Sequence, residues 1–219
     1  MEPDKATEIS AMGTIAEKKN GYYLLNGQKV SLSRASEDHF AVIFASTTDN
    51  GPGDRVTCFL VDKDTPGFQV MGGDEKTGWQ SQGRETMLLV FNCCRVPSEN
   101  ILGEEGKAFH LGKKWLPSRR IIRGARCVGV AQRLLEEATI RAQSWESFQH
   151  PISGRSNIQA ALSDIAVSIH ACRLTVFKAA WKADKGEPVL REAAMVKLLA
   201  TQMLNNVADR VTHIYGGPP

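Results

Sequence analysis

Short apolar runs alternate with turn residues over roughly the first half of the chain, and a helical period takes over afterwards. Gly21 to Lys29 carries strand-like residues on both sides of Asn26-Gly27. Asn-Gly tolerates the positive φ of a type I′ turn, so this stretch is expected to form a hairpin. His39 to Ser46 is a near-continuous apolar run of strand length. After a loop over 49–54, Arg55 to Val61 reads as a strand in which Val56, Cys58 and Leu60 alternate with more polar positions. Thr65-Pro66-Gly67 is a turn, because proline fixes φ and glycine opens the positive region. Phe68 to Met71 continues as strand, Lys76 to Arg84 is a glycine-spaced loop, and Glu85 to Val96 is expected to supply a strand pair around Met87 to Phe91. Five or more short strands without intervening helices predict a β barrel or sandwich of about 100 residues.

From Lys107 the apolar period lengthens to three and four. Ile121, Ile122, Ala125, Cys127, Val128, Leu134 and Leu135 define one helix face, with Pro117 in the first turn and Leu116 or Ser118 near the cap. This helix is expected to end near Ser144, broken by Pro151 and Gly154. A second, capped by Ser156 or Asn157, runs to Lys185 through Ile158, Leu162, Ile165, Ile169, Cys172, Val176 and Trp181. Gly186 and Pro188 make the next turn, and a third helix covers Leu190 to about Ile214. Short breaks imply antiparallel packing. The fold class is therefore α+β, an antiparallel β barrel or sandwich over 1–105 followed by an antiparallel helical bundle over 106–219. Three helices leave an apolar side open, where a fourth helix or a partner subunit is expected.

Composition narrows the classes. The 219 residues are 42% hydrophobic and 23% charged, the balance of a globular protein. A net charge of +3 is mild, and nucleic acid is not the expected partner. No unbroken run approaches the ~18 apolar residues of a membrane span. The first ten residues, acidic and polar, match neither a secretory signal nor a transit peptide. The five cysteines (58, 93, 94, 127 and 172) lack a framework spacing, which argues for a reducing compartment. With no CxxC or HExxH, no metal site is expected.

Candidate chemistry concentrates between Leu116 and Ile152. Arg119, Arg123 and Arg126 share one helix face, Arg120 lies beside it, and Lys113 and Lys114 precede them. Such a face suits phosphate or carboxylate, since the planar guanidinium binds both in a forked geometry. The competing reading is a solvated face with a few acidic partners. Gly103, Gly106 and Lys107 lack the spacing of a phosphate loop. Gly124 to Gly129 suits a close helix contact better than a dinucleotide fingerprint. Trp145 and Phe148 could stack on a flat cofactor, although aromatics at this spacing are more often core. Residue patterns alone thus reach two domains and an anion-binding helix, but no reaction.

The order of motifs is similar to that of the acyl-CoA dehydrogenase family, over nearly the whole chain. Met1 to Glu8 resembles its TEPxAGSD segment, and Tyr22 to Lys29 its YxxNGxK stretch. Gly78 to Gly103, with Phe91, Arg95-Val96-Pro97 and Glu99-Asn100, resembles the LxFxxVRVPxxNxLG region, the most specific match. Arg120 to Glu136 resembles RxxxAxxxxGxAxxAL, Phe148 to Ile152 resembles FGxPI, and Leu162 to Ile165 resembles LADM. Ala194 to Thr201 and His213 to Gly217 resemble the MxKxxAT and QxxGGxG ending.

The resemblance implies an enzyme with an N-terminal helical domain, a β domain and a C-terminal four-helix bundle. It implies FAD and the α,β-dehydrogenation of an acyl-CoA thioester. A homo- or hetero-oligomer formed through the bundle is implied, with an electron-transfer flavoprotein or another acceptor as redox partner. On this comparison the N-terminal helical domain and the final bundle helix are missing from residues 1–219. The catalytic base is expected beyond Pro219, since its alternative position on the first bundle helix is Arg119 here, which cannot serve as a base at neutral pH. The implied cofactor-binding residues are Ser33, Phe148, His213, Gly216 and Gly217. Thr7 and Arg120 are the implied substrate-side residues, Arg120 in a supporting role near the catalytic centre. Five cofactor-side positions depart from the family. Met1 replaces a threonine, Ser31 a tryptophan, Trp145 an arginine expected at the FAD diphosphate, Gln149 a glycine and His213 a glutamine. The Trp145, His213 and Arg119 departures motivate an alternative, a non-catalytic or half-site subunit of a heteromeric enzyme. The compartment implied is the cytoplasm in a bacterium or the mitochondrial matrix in a eukaryote.

Overall fold

The computed structural model describes residues 2–3, 12–31, 39–47, 56–72 and 87–216. The chain forms two compact units, Met1–Gly112 and Lys113–Pro219.

The first unit is a curled, mostly antiparallel sheet. Its strands are β1 (Ile15–Lys19), β2 (Tyr22–Ser31), β3 (Phe40–Thr47), β4 (Val56–Asp62), β5 (Phe68–Met71) and β6 (Met87–Pro97). Their spatial order is β4-β3-β1-β2-β6-β5, and β1 with β3 is the parallel pair. The hairpin turn is not at Asn26-Gly27. Lys19 pairs with Tyr22, so the loop is the preceding Asn-Gly pair, Asn20-Gly21, where only the glycine takes a positive φ (82°). β2 runs straight through Asn26-Gly27 instead. There the register shifts, with Leu25 opposite Cys94 and Gly27 opposite Phe91, so Asn26 faces two residues of β6. Asn26 Oδ1 accepts the Cys93 N–H at 2.8 Å, and Cys93 takes φ 48° in this β-bulge. A Cβ on Gly27 (φ 141°) would lie 2.7 Å from Thr14 Cα, so glycine is required by close approach as well as by φ. The expected strand pair over 85–96 is the single long strand β6, bent at this bulge.

One face of the sheet buries Tyr23, Leu25, Phe59, Val61, Leu89 and Phe91. Tyr23 meets Phe59 edge-on at 5.0 Å and Phe68 stacks on Phe91 at 5.1 Å. β4 is not a one-sided strand as its alternation suggested. Phe59 and Val61 enter this core, while Val56 and Cys58 pack with Ala108 on the other face, and Leu60 is only half-buried.

Glu2 anchors the polar edge. Its carboxylate accepts the N–H groups of Gly13 (2.7 Å) and Thr14 (2.9 Å) and the Thr14 hydroxyl (2.7 Å). Lys29 Nζ pairs with it at 2.8 Å, with both side chains largely buried. Burial by itself pushes the carboxyl upward, but Lys29 and these donors outweigh it and pull it down to about 2.

The second unit is built on α1 (Ala108–Ser144), α2 (Ser156–Asp184) and α3 (Leu190–Tyr215), with a two-residue hairpin β7 (Glu146–Ser147) and β8 (His150–Pro151) between the first two helices. α1 starts well before Pro117, which lies inside the helix rather than in its first turn. The missing N–H removes one ladder bond there, and the helix continues through it. α2 is preceded by Arg155 at its N-cap, with no side-chain cap from Ser156 or Asn157. The bundle buries Ile165, Ile169, Cys172 and Val176 of α2 against Val196, Ala200, Met203 and Val207 of α3. On α1, Ile121, Cys127 and Val128 join this core, but Ile122 and Ala125 of the expected face are exposed. Trp181 of α2 is also exposed, with Lys185 Nζ 3.8 Å from its ring centroid. Gly124 is the close helix contact that its spacing suggested, since a Cβ there would lie 2.2 Å from Val196 Cγ1. Gly129 faces open space and has no such role.

By length and composition α2 would reach across a membrane, although no unbroken apolar run of that length exists in the sequence. Its buried stripe packs into the bundle core instead.

Candidate functional site at one end of the helical bundle

Where α1 ends, the chain turns through β7 and β8. Ser147 pairs with His150, leaving Phe148-Gln149 as a two-residue loop. Both residues hold positive φ, 55° and 66°. For non-glycine residues this costs roughly 1–2 kcal/mol each. Positive φ at both central residues is what the type I′ turn of a two-residue hairpin loop requires, met here without glycine. Its result is that Phe148 stands 89% exposed, and Trp145 is 41% exposed. The expectation that these aromatics are core is therefore wrong. Period alone cannot distinguish a core face from a helix end that turns outward.

Guanidinium groups accompany the rings. Arg155 Cζ lies 5.9 Å from the Phe148 centroid, and its Nη2 donates to Ser147 Oγ at 2.7 Å. Arg141 stands one helical turn before Trp145, with Cζ 3.8 Å from that ring. It also lies 5.7 Å from the Tyr215 ring and donates from Nη2 to the Tyr215 carbonyl at 3.3 Å. Arg141 thereby joins the end of α1 to the end of α3. Its Nε is buried without a hydrogen-bond partner among the described residues. Such an unmet donor costs roughly 1–3 kcal/mol.

The remaining sequence candidates fall as follows. His213 and Gly216 lie at the same end of α3. His213 is exposed, its Nε2 3.8 Å from Asp209 Oδ1, and Gly216 takes φ 72° and donates its N–H to the Thr212 carbonyl. Arg120 is half-buried, whereas Arg119, Arg123 and Arg126 are exposed. None of the four has a carboxylate partner among the described residues, and Arg119 lies 5.1 Å from the Trp115 ring centroid. Thr7, Ser33 and Gly217 lie outside the described residues, as does the side chain of Ser31. Sequence reasoning did not single out Arg141, Arg155 or the ring of Tyr215. The available signal was the four-residue step from Arg141 to Trp145 on one helix face.

A curled sheet followed by an antiparallel bundle defines an α+β protein, with arginines and exposed aromatic rings gathered at one bundle end. Comparison identifies its kind. The acyl-CoA dehydrogenase C-terminal domain matches residues 109–218, and the acyl-CoA dehydrogenase middle domain matches residues 1–94. The chain belongs to the acyl-CoA dehydrogenase family. It is 33% identical over 217 residues to the short-chain specific acyl-CoA dehydrogenase of Megasphaera elsdenii, covering 99% of this chain and 56% of that protein. The (R)-benzylsuccinyl-CoA dehydrogenase of Thauera aromatica is 34% identical, covering 99% and 53%. The solved butyryl-CoA dehydrogenase of Megasphaera elsdenii superposes with a TM-score of 0.89 at 33% identity, covering 99% of this chain and 56% of that one. The chain thus spans about half the length of the curated relatives it matches.

The family implies FAD, and the bundle end suits such a ligand. Phe148 offers an open planar face, and Arg141, stacked on the partly exposed Trp145, has no carboxylate partner among the described residues. This is the donor set for a flat ring joined to an anionic diphosphate.

Proposed function

We propose that this chain forms the β domain (1–105) and much of the helical bundle (106–219) of a flavin-dependent oxidoreductase that dehydrogenates an acyl-CoA thioester at its α,β bond. The observation that carries the reading is the positive-φ β7–β8 turn, which holds Phe148 outward beside Arg155, with Arg141 stacked on Trp145 at the same end of a family-matched bundle. FAD, when bound, supplies the two-electron oxidant. Phe148 and Trp145 give it apolar flat surface, while His213, Gly216, Gly217 and Ser33 complete the cofactor side. Thr7 and Arg120 serve the thioester side, where the half-buried guanidinium of Arg120 favours negative charge. The proton-abstracting carboxylate is assigned to a residue outside 1–219.

Exposed Val167, Leu174 and Phe177 on α2 with Met195 and Leu198 on α3 support oligomerisation through the bundle. The matched chain in the structure of the electron transferring flavoprotein of Acidaminococcus fermentans (32% identity, TM-score 0.88, 57% of that chain covered) supports a flavoprotein as electron acceptor. The test is anaerobic addition of butyryl-CoA to the intact protein carrying flavin. Bleaching of the flavin band is expected, and an unchanged band in a flavin-loaded protein with every short acyl-CoA tried would reject the activity. A second reading, a half-site subunit, is favoured by the exposed Arg119 at the position of a possible base. It predicts flavin uptake only after mixing with a catalytic partner subunit.

A further inference from the structure

The sequence carries Trp145 where the family resemblance expects an arginine at the FAD diphosphate, yet the structure holds a guanidinium against that same ring. We propose that Arg141 is the diphosphate-binding residue of this chain, displaced by one helical turn from position 145, and that Trp145 serves as the plate that holds it. The inference rests on the FAD reading above.

Three observations carry it. Arg141 and Trp145 are four apart on α1, so their side chains share a face, and Arg141 Cζ lies 3.8 Å from the indole centroid. An arginine stacked in this way is fixed in position before any ligand arrives. Second, its charge is not spent on a carboxylate. Glu137, one turn earlier, pairs with Arg133 and accepts from the Tyr215 hydroxyl at 3.4 Å, and no ion pair reaches Arg141 among the described residues. Third, its hydrogen-bonding capacity is incompletely used. Nη2 reaches the Tyr215 carbonyl at 3.3 Å, a long contact, while Nε is buried, so the end of the guanidinium is the part left for a ligand. Arg155, the other guanidinium at this end, is more committed, since Nη2 donates to Ser147 Oγ at 2.7 Å and lies 3.5 Å from the Ser147 carbonyl. Arg141 also touches Trp145 and Tyr215, one residue from each of the two stretches that the family resemblance assigns to the cofactor.

The experiment titrates the full chain with FAD, ADP and adenosine, reading tryptophan fluorescence, with the thermal midpoint of each variant as the folding control. Wild type is expected to bind FAD and ADP, with affinity that falls as salt rises. Arg141→Gln is expected to weaken FAD and ADP at least about tenfold, equivalent to about 1.4 kcal/mol, and to leave adenosine unchanged. The double variant Arg141→Gln with Trp145→Arg returns the charge to position 145 and is expected to regain ADP affinity. If Arg141→Gln fails to fold, Arg141→Lys replaces it, and loss of ADP affinity without loss of adenosine affinity is again the expected result. Wild-type FAD and ADP affinity in Arg141→Gln, equal loss of adenosine and ADP, or a double variant that regains nothing would each overturn the role of Arg141 and leave the FAD reading standing. Failure of wild type to bind either FAD or ADP, both alone and mixed with a full-length relative, would overturn both.

Discussion

Replacing Gly124 with alanine separates two opposing effects of known size. In an exposed helix interior the change stabilises by roughly 1 kcal/mol, because alanine has less backbone freedom to lose. At Gly124 the new Cβ would lie 2.2 Å from Val196 Cγ1 and 3.2 Å from Val176 Cγ2. A comfortable carbon–carbon contact is about 3.5–4.0 Å. The first gap must open by more than an ångström, and valine cannot swing aside cheaply because its χ1 is restricted by branching. Val196 is fully buried, so α1 and α3 must move apart. Overpacking of this kind costs roughly 1–3 kcal/mol and occasionally more. Set against the propensity gain, Gly124→Ala is expected to lose up to about 2 kcal/mol net. Gly129→Ala, on the same helix but facing open space, is expected to gain up to about 1 kcal/mol. Combining Gly124→Ala with Val196→Ala should show favourable coupling, because the truncated side chain vacates the clash. Urea unfolding followed by helical circular dichroism reads wild type, the three single variants (Val196→Ala included) and the double variant. Equal stability of the Gly124 and Gly129 variants would refute the close approach of α1 to α3.

Glu2→Gln is expected to destabilise the sheet unit. The carboxyl's drop from 4.5 to about 2 corresponds to roughly 3 kcal/mol, an upper figure for what the substitution removes. Since the folded-state value is the depressed one, this stability is full above about pH 4.5 and is lost as pH falls towards about 2, so the wild-type advantage in thermal midpoint should shrink across that window and stay flat above it. Gln149→Gly should stabilise by up to about 1 kcal/mol, because glycine relieves φ 66° in the β7–β8 turn, and thermal unfolding would show it. A thiol-reactive dye at neutral pH should label one of the five cysteines rapidly. Cys93 is exposed, while Cys58, Cys94, Cys127 and Cys172 are buried, and burial pushes the Cys58 and Cys94 thiols up to about 11.

Strand and helix positions were legible because β3, β5 and the three helices carry uninterrupted periods. The exceptions have local causes. Two Asn-Gly pairs lie six residues apart, and only the register of β2 against β6 shows that the second makes a bulge. Pro117 looked like a helix start because proline favours first turns, but Ala108 packs against Val56 and Cys58 and brings the helical segment in earlier. The residues of the proposed site have two sources. Phe148, His213 and Gly216 came from family motifs, whereas Arg141 acquires meaning only from its contacts with Trp145 and Tyr215. Those contacts bring together residues 74 positions apart, which no helical period encodes.

Flavin uptake tests the central claim most directly. The chain is purified, incubated with FAD, freed of excess by gel filtration and its visible spectrum recorded. The site described predicts a retained flavin band at close to one FAD per chain, either alone or mixed with a full-length relative. A chain that stays colourless in both states contradicts the assignment of FAD to this end of the bundle.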